Sequence, residues 1–207
     1  MQRELELKFT TDGALPDAAA IRDAVATLGL SLGEVHKGYI KDRYFDDPRA
    51  SLSRAGLALR RRMRDGQMLA TLKTRGSVDG ATHDRHELEL PLPERGWPQE
   101  IEDRIAFVTI SSTLRPYTVL DSERTVFPLL RKDGGQVAEL SFDLVTAKFQ
   151  HGEATVEFLE IEIEAAPGVD EADLEGVAAA LETVMELVPS PFTKLERAQA
   201  LLMGTGT

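Results

Sequence analysis

Cysteine is absent from all 207 residues, which excludes disulfides, thiolate nucleophiles and zinc-thiolate sites while leaving the redox compartment open. No apolar run approaches the roughly 18 residues of a membrane-spanning helix, and the N-terminus lacks the apolar stretch of a secretory signal. A soluble, cytoplasmic protein with no membrane partner is expected. Aromatic residues are few, and the single tryptophan, Trp97, lies in a Pro-rich connection. His36, His83, His86 and His151 lack metal-ligand spacing and read as structural or surface groups. Positive charge is the minority: 24 Lys and Arg against 35 Asp and Glu leave a net −11, which argues against a general nucleic-acid-binding surface.

What is present begins with enough apolar residues for a core, 42% of the chain. No fixed-period repeat, low-complexity tract or long linker divides it, so one domain over 1–203 with a tail at 204–207 is expected. The opening stretch, MQRELELKFT, alternates Glu4, Glu6 and Lys8 with Leu5, Leu7 and Phe9. Extended, it puts three charges on one face and three apolar side chains on the other. Two carboxylates roughly 7 Å apart on one face repel unless a cation lies between them. Lys8 supplies one, and a divalent metal could supply more. Alone the pattern is weak, but three later stretches repeat it: Arg85, Glu87 and Glu89; Glu139, Ser141 and Asp143; and Glu160, Glu162 and Glu164, each interleaved with apolar residues or His86.

The minority charge is clustered. Arg60, Arg61, Arg62 and Arg64 fall in an apolar, strand-like run, and Asp65-Gly66 marks a hairpin to a second run carrying Lys73 and Arg75. Arg60, Arg62 and Lys73 sit among apolar neighbours and are candidates for an internal anion site; Arg61, Arg64 and Arg75 read as exposed. Helices are expected over 17–28, 101–112 and 170–188, strands over 38–45 and 117–130, and a loop over 76–82. Tyr44 and Phe45 read as core. Ser190 can cap a last helix with Pro191 at its first position, setting Lys194 near the positive helix end, where it could meet an anion.

Antiparallel strands with one apolar and one densely charged face can lie open to water or close around a polar channel. Charge density favours closure, because opposed acidic strands repel without a ligand between them. A ligand matching both signs carries many anionic oxygens and arrives with a hard divalent cation; polyphosphate with Mg²⁺ or Mn²⁺ fits.

Taken together, E-x-E-x-K at Glu4, Glu6 and Lys8, L-x-R-x-G-L-x-L-R-x-R with Arg60 and Arg62, T-L-K at Lys73, R-x-E at Arg85 and Glu87, Arg124, E-x-x-x-D at Glu139 and Asp143, E-x-E at Glu160 and Glu162, and T-K-x-x-R at Lys194 resemble CYTH-domain proteins, also called triphosphate tunnel metalloenzymes. The resemblance runs from residue 1 to about 202. It implies an α+β, mainly β fold: a closed antiparallel eight-stranded barrel with flanking helices, hydrolysing inorganic triphosphate with Mg²⁺ or Mn²⁺. By that resemblance Glu4, Glu6, Glu87, Asp143, Glu160 and Glu162 hold metal, with Glu139 and Glu89 less secure. Lys8, Arg60, Arg62, Lys73, Arg85, Arg124 and Lys194 hold the phosphate chain, and Glu4, Glu6, Lys8, Arg60 and Arg62 carry catalysis. Residues 113–127 and the PFTKLERAQAL ending resemble bacterial inorganic triphosphatases that carry a helical CHAD domain in a longer chain; a homodimer is also open. Rival readings are a class IV-type adenylate cyclase, a thiamine or nucleoside triphosphatase, and a non-catalytic polyphosphate sensor. Ala58 stands where the thiamine enzymes carry an aromatic residue, and six carboxylates exceed what a phosphate-binding sensor needs.

Overall fold

The computed structural model describes residues 1–204; positions 205–207, most of the expected tail, lie outside the described residues. Eight long strands build the barrel: β1 (Gln2–Thr10), β2 (His36–Asp46), β3 (Leu57–Arg64), β4 (Gln67–Thr74), β5 (Thr82–Pro91), β6 (Arg115–Leu130), β7 (Gln136–Phe149) and β8 (Thr155–Ala165). Neighbours are antiparallel in the order β1-β8-β7-β6-β2-β3-β4-β5, and β5 pairs back onto β1. The sheet is therefore a closed eight-stranded barrel, with no long strand left at an edge.

Period-two alternation decides what each face meets. The odd positions of β1, Leu5, Leu7 and Phe9, point outward into an apolar layer with Phe127, Leu140 and Ile163. Helices α1 (Ala18–Ala26) and α4 (Glu171–Leu181) cover that layer through Ile21, Val25, Leu174, Val177 and Leu181. A second outer layer lies over Leu59, Ala70, Leu72 and Leu88. It is roofed by Leu52 of the short helix α2 (Ser51–Arg54), by Trp97, and by Ile101 and Ile105 of α3 (Gln99–Ile105). With apolar residues spent on the outside, the even positions of β1 face the lumen.

The last helix, α5 (Lys194–Leu202), packs across β6, β7 and β8. Its buried Ala198 joins Tyr44, Leu120, Val145, Ala147 and Phe158 in a third apolar cluster. Val145, Ala147 and Phe158 keep the alternation of Asp143 and Glu160, so this cluster seals one end of the polar lumen. The hairpin read at Asp65-Gly66 joins β3 to β4, with φ of 51° and 75° at its two residues, the left-handed pair that a tight two-residue turn requires.

Several expected boundaries differ. The helix read over 101–112 is Gln99–Ile105 followed by a 3-10 turn at Ser111–Thr113. That over 170–188 ends at Leu181, and Val188–Pro189 instead pairs with β1. Within the loop expected over 76–82, Ser77–Asp79 adds a short strand beside β5. The final helix is capped by Thr193, not Ser190: Thr193 and Glu196 exchange side-chain-to-backbone bonds in a full capping box.

Candidate active site

β1 and β5 face one another in register, with Glu4 opposite Arg85. Arg85 Nε donates to Glu4 Oε2 at 2.7 Å and its Nη2 to Glu6 Oε1 at 2.5 Å. Lys73, from β4, donates to both Glu4 oxygens at 2.8 and 3.0 Å and lies 2.9 Å from Glu87. Lys8 donates to Glu6 at 3.0 Å and pairs with Glu162 across the β1/β8 register; its Nζ is also 3.5 Å from Glu160. Lys8 is 1% exposed, and burial would drive its proton off, but Glu162, Glu6 and Glu160 reverse that effect and hold it firmly charged.

Opposite this wall, Arg124 of β6 grips Asp143 bidentately at 2.7 and 2.5 Å and reaches Glu162 at 2.7 Å. The first residue of α5, Lys194, donates to Asp143 at 2.6 Å and to Glu162 at 3.3 Å, 3.5 Å from Glu160. On β3, Arg62 forms a bidentate pair with Asp42 of β2 at 2.8 and 2.7 Å. Arg60 reaches Asp42 and the Tyr44 hydroxyl at 3.4 Å each, and Glu87 at 3.7 Å.

Among the sequence-predicted residues, Glu4, Glu6, Lys8, Arg60, Arg62, Lys73, Arg85, Glu87, Arg124, Glu162 and Lys194 line one cavity of about 980 Å³. Asp143 and Glu160 lie just behind its surface, fully buried. Glu139 lines the cavity; Glu89 does too, but it is engaged by Arg64 at 3.3 Å and Thr71 at 3.0 Å. Arg61 departs from its expected exposure: outside the barrel, half-buried, its guanidinium stacks 5.0 Å from the Phe45 ring and 4.6 Å from the Trp97 ring and donates to the Gly96 carbonyl. Arg64 and Arg75 are exposed as read. His83, read as structural or surface, is buried and lines the same cavity, its Nε2 3.0 Å from the Ser190 carbonyl oxygen. Sequence reasoning missed Asp42 and the hydroxyl of Tyr44. Asp42 sits in the run Lys41-Asp42-Arg43, where alternation of charge type gives no cue; only its register opposite Arg62 reveals it.

The electrostatics divide the carboxylates. Burial alone would lift Glu4, Asp42, Asp143 and Glu162, but the facing Lys and Arg outweigh it and hold all four below the usual carboxylate range. Glu164 is pushed the other way, and so, more deeply buried, is Glu160. Burial pushes it up to about 7 despite Lys194 and Lys8, with Glu162 adding repulsion. No donor meets either Glu160 oxygen in hydrogen-bonding geometry. A buried carboxylate that no donor hydrogen-bonds, its ion-pair partners Lys8 and Lys194 standing 3.5 Å off, has room for a closer cation. With Glu162 and Asp143 beside it, the donor set consists of hard oxygens, which suits a hard divalent cation. Among the described residues no three Asp, Glu or His side chains stand ready-grouped for a metal ion; Asp143 and Glu162 are turned onto Lys8, Arg124 and Lys194 instead.

Comparison with known proteins places this geometry in context. Residues 2–198 match the CYTH domain family. Over 164 residues the chain is 31% identical to an inorganic triphosphatase of Haemophilus influenzae, covering 76% of this chain and 45% of that relative, so it spans less than half of the relative's length. Solved structures share the fold, two of them over nearly the whole of both chains. A Hippeastrum protein studied as an adenylyl cyclase and found to have a dominant triphosphatase activity superposes with a TM-score of 0.64 at 16% identity, over 99% of this chain and 97% of that one. A Pyrococcus horikoshii protein superposes with a TM-score of 0.53 at 18% identity, over 97% and 98%. A closed barrel whose lumen gathers both signs of charge, and a match spanning nearly the whole chain, lead to one conclusion: this protein belongs to the CYTH domain family.

Proposed function

We propose that the tunnel binds inorganic triphosphate together with Mg²⁺ or Mn²⁺ and hydrolyses it to pyrophosphate and phosphate. The observation that carries this reading is the convergence of Lys8, Arg60, Arg62, Lys73, Arg85, Arg124 and Lys194 on one cavity that is also walled by carboxylates. The paired signs suit an oligophosphate carrying a metal better than a bare anion or a bare cation, and one independent fact supports the reading: a curated relative is an inorganic triphosphatase.

In this reading the seven cations exchange part of their carboxylate partners for phosphate oxygens. Arg60 and Arg62, planar and permanently charged, orient the chain and offset charge on the transferring phosphoryl group. Lys8, anchored between Glu6 and Glu162, fixes a phosphate on the opposite wall. Glu4, Glu6, Glu87, Asp143, Glu160 and Glu162 would hold one or two divalent cations, which when bound supply Lewis acidity to the phosphate oxygens and make water a better nucleophile. The apolar seal around Tyr44, Leu120 and Phe158 excludes bulk water from one side of the site and so strengthens every charge interaction inside.

An inorganic substrate is favoured over thiamine triphosphate by the lining itself. Among the described residues, Tyr44 is the only Phe, Tyr or Trp on the cavity, and its hydroxyl already accepts from Arg60. Ala58, next to Arg60, offers no stacking face. The experiment is a panel of triphosphate, longer polyphosphate, ATP and thiamine triphosphate in one buffer with Mg²⁺ or Mn²⁺. The expected result is fastest phosphate release from triphosphate. Cyclic AMP and pyrophosphate from ATP would establish the cyclase reading, and tight binding without metal-dependent turnover the sensor reading.

A further inference from the structure

We infer that Asp42, a residue outside every motif above, is the positioning residue that sets the guanidiniums of Arg62 and Arg60 toward the phosphate chain; this rests on the triphosphatase reading. Asp42 is 2% exposed. It does not reach the cavity surface, whereas Arg60, Arg62 and Tyr44 all do. It therefore acts on a ligand only through those side chains.

The geometry is that of a clamp. Arg62 spends Nε and Nη2 on the two Asp42 oxygens at 2.8 and 2.7 Å, which fixes the plane of the guanidinium and leaves Nη1 as its free edge. Arg60 is steadied on one side by Asp42 and the Tyr44 hydroxyl, both at 3.4 Å. Strand register explains the match: Asp42 lies opposite Arg62 and Tyr44 opposite Arg60. Burial works against the Asp42 charge, but Arg60 and Arg62 keep it ionised. Long, rotamer-rich side chains held this way have little freedom left to lose when substrate binds.

A rival account gives Asp42 a charge-damping role only, and the two accounts predict opposite kinetics for Asp42→Asn. Damping alone means that removing a buried anion beneath two arginines lowers KM for triphosphate and leaves kcat intact. Positioning means that kcat falls at least tenfold with KM within threefold. In the Arg62→Lys background, which has already lost the bidentate contact, Asp42→Asn should then cost less than a further threefold. The Arg62 Nε–H signal in nitrogen-edited NMR spectra, identified by its loss in Arg62→Lys, should be slow to exchange in the wild type and fast or absent in Asp42→Asn. Unchanged kcat, a falling KM, full additivity of the two substitutions, or a signal still protected in Asp42→Asn would each overturn the inference. If Asp42→Asn does not fold, Arg62→Lys and the wild-type exchange rate carry the test: kcat within twofold in that variant, or an unprotected wild-type signal, overturns it. A wild type that turns over no triphosphate would sink the activity reading alone, because the NMR signal and calorimetric binding of triphosphate in EDTA report on the clamp without turnover.

Discussion

Lys194 Nζ lies 2.6 Å from Asp143 Oδ2, although the two are 51 residues apart and belong to the last helix and to β7. The contact exists because Thr193 and Glu196 start α5 at that point and Ala198 anchors it in the apolar seal. Lys194→Gln should therefore leave the helix folded and weaken substrate capture, raising KM for triphosphate at least tenfold. Arg124 still satisfies Asp143, which limits the loss of stability. Steady-state kinetics with circular dichroism checks this; an unchanged KM would remove Lys194 from the phosphate-binding set.

Glu160→Gln separates stability from function. No donor hydrogen-bonds either oxygen, and burial outweighs the Lys8 and Lys194 ammoniums 3.5 Å away, so an uncharged isostere should raise the thermal midpoint in EDTA at pH 8 while metal-dependent hydrolysis falls at least a hundredfold. A lower midpoint with activity retained would show that Glu160 is a structural anchor and not a metal ligand.

The pH dependence of stability follows from the same residue. Glu160 and Glu164 are each pushed up to about 7 from an ordinary 4.5, burial being the main cause in both. Across that window the folded protein keeps protons the unfolded chain has lost, so stability falls as pH rises toward and through 7. His83, held below its ordinary value by burial, acts in the opposite sense, one group against two. At the acid end Glu4, Asp42, Asp143 and Glu162 lose their stabilising pairs as pH drops below 4. In EDTA the thermal midpoint should peak near pH 5 and decline toward pH 8, roughly 2–4 °C for each kcal/mol lost, and Mg²⁺ should flatten the decline. A midpoint that climbs steadily from pH 5 to 8 contradicts this.

Gly76 tests the barrel rim. A Cβ there would lie 1.8 Å from the Asp84 carbonyl oxygen and 2.7 Å from Arg85 Cβ, both on β5. Gly76→Ala should lower stability by about 3 kcal/mol or more in urea unfolding, because backbone must move. A loss below about 1 kcal/mol would mean that the rim is loosely packed.

Much of this arrangement is legible in the amino-acid sequence. Glu4, Glu6 and Lys8 announce their face because alternation with Leu5, Leu7 and Phe9 has a period of two, and a face holding only charges must find counter-charges. Asp42 was not legible, because Lys41 and Arg43 flank it with charge on both faces of β2. Ser190-Pro191 offers a rival start for the last helix, but only Thr193 has a glutamate three residues on, Glu196, which is the capping-box spacing, and the bonds between those two decide for Thr193. Helix ends are read too long where apolar periodicity outlasts the regular helix, as over 182–188, where isolated hydrogen-bonded turns carry the chain to Met185.

The most direct measurement is phosphate release from inorganic triphosphate as Mg²⁺ or Mn²⁺ is titrated, run for the wild type beside Glu4→Ala and Arg60→Ala. The expected result is turnover that requires the metal and drops at least a hundredfold in each variant, one on the carboxylate side of the lumen and one on the cationic side. Turnover that ignores the metal, or that survives either substitution, would contradict a site in which both signs of charge act on one substrate.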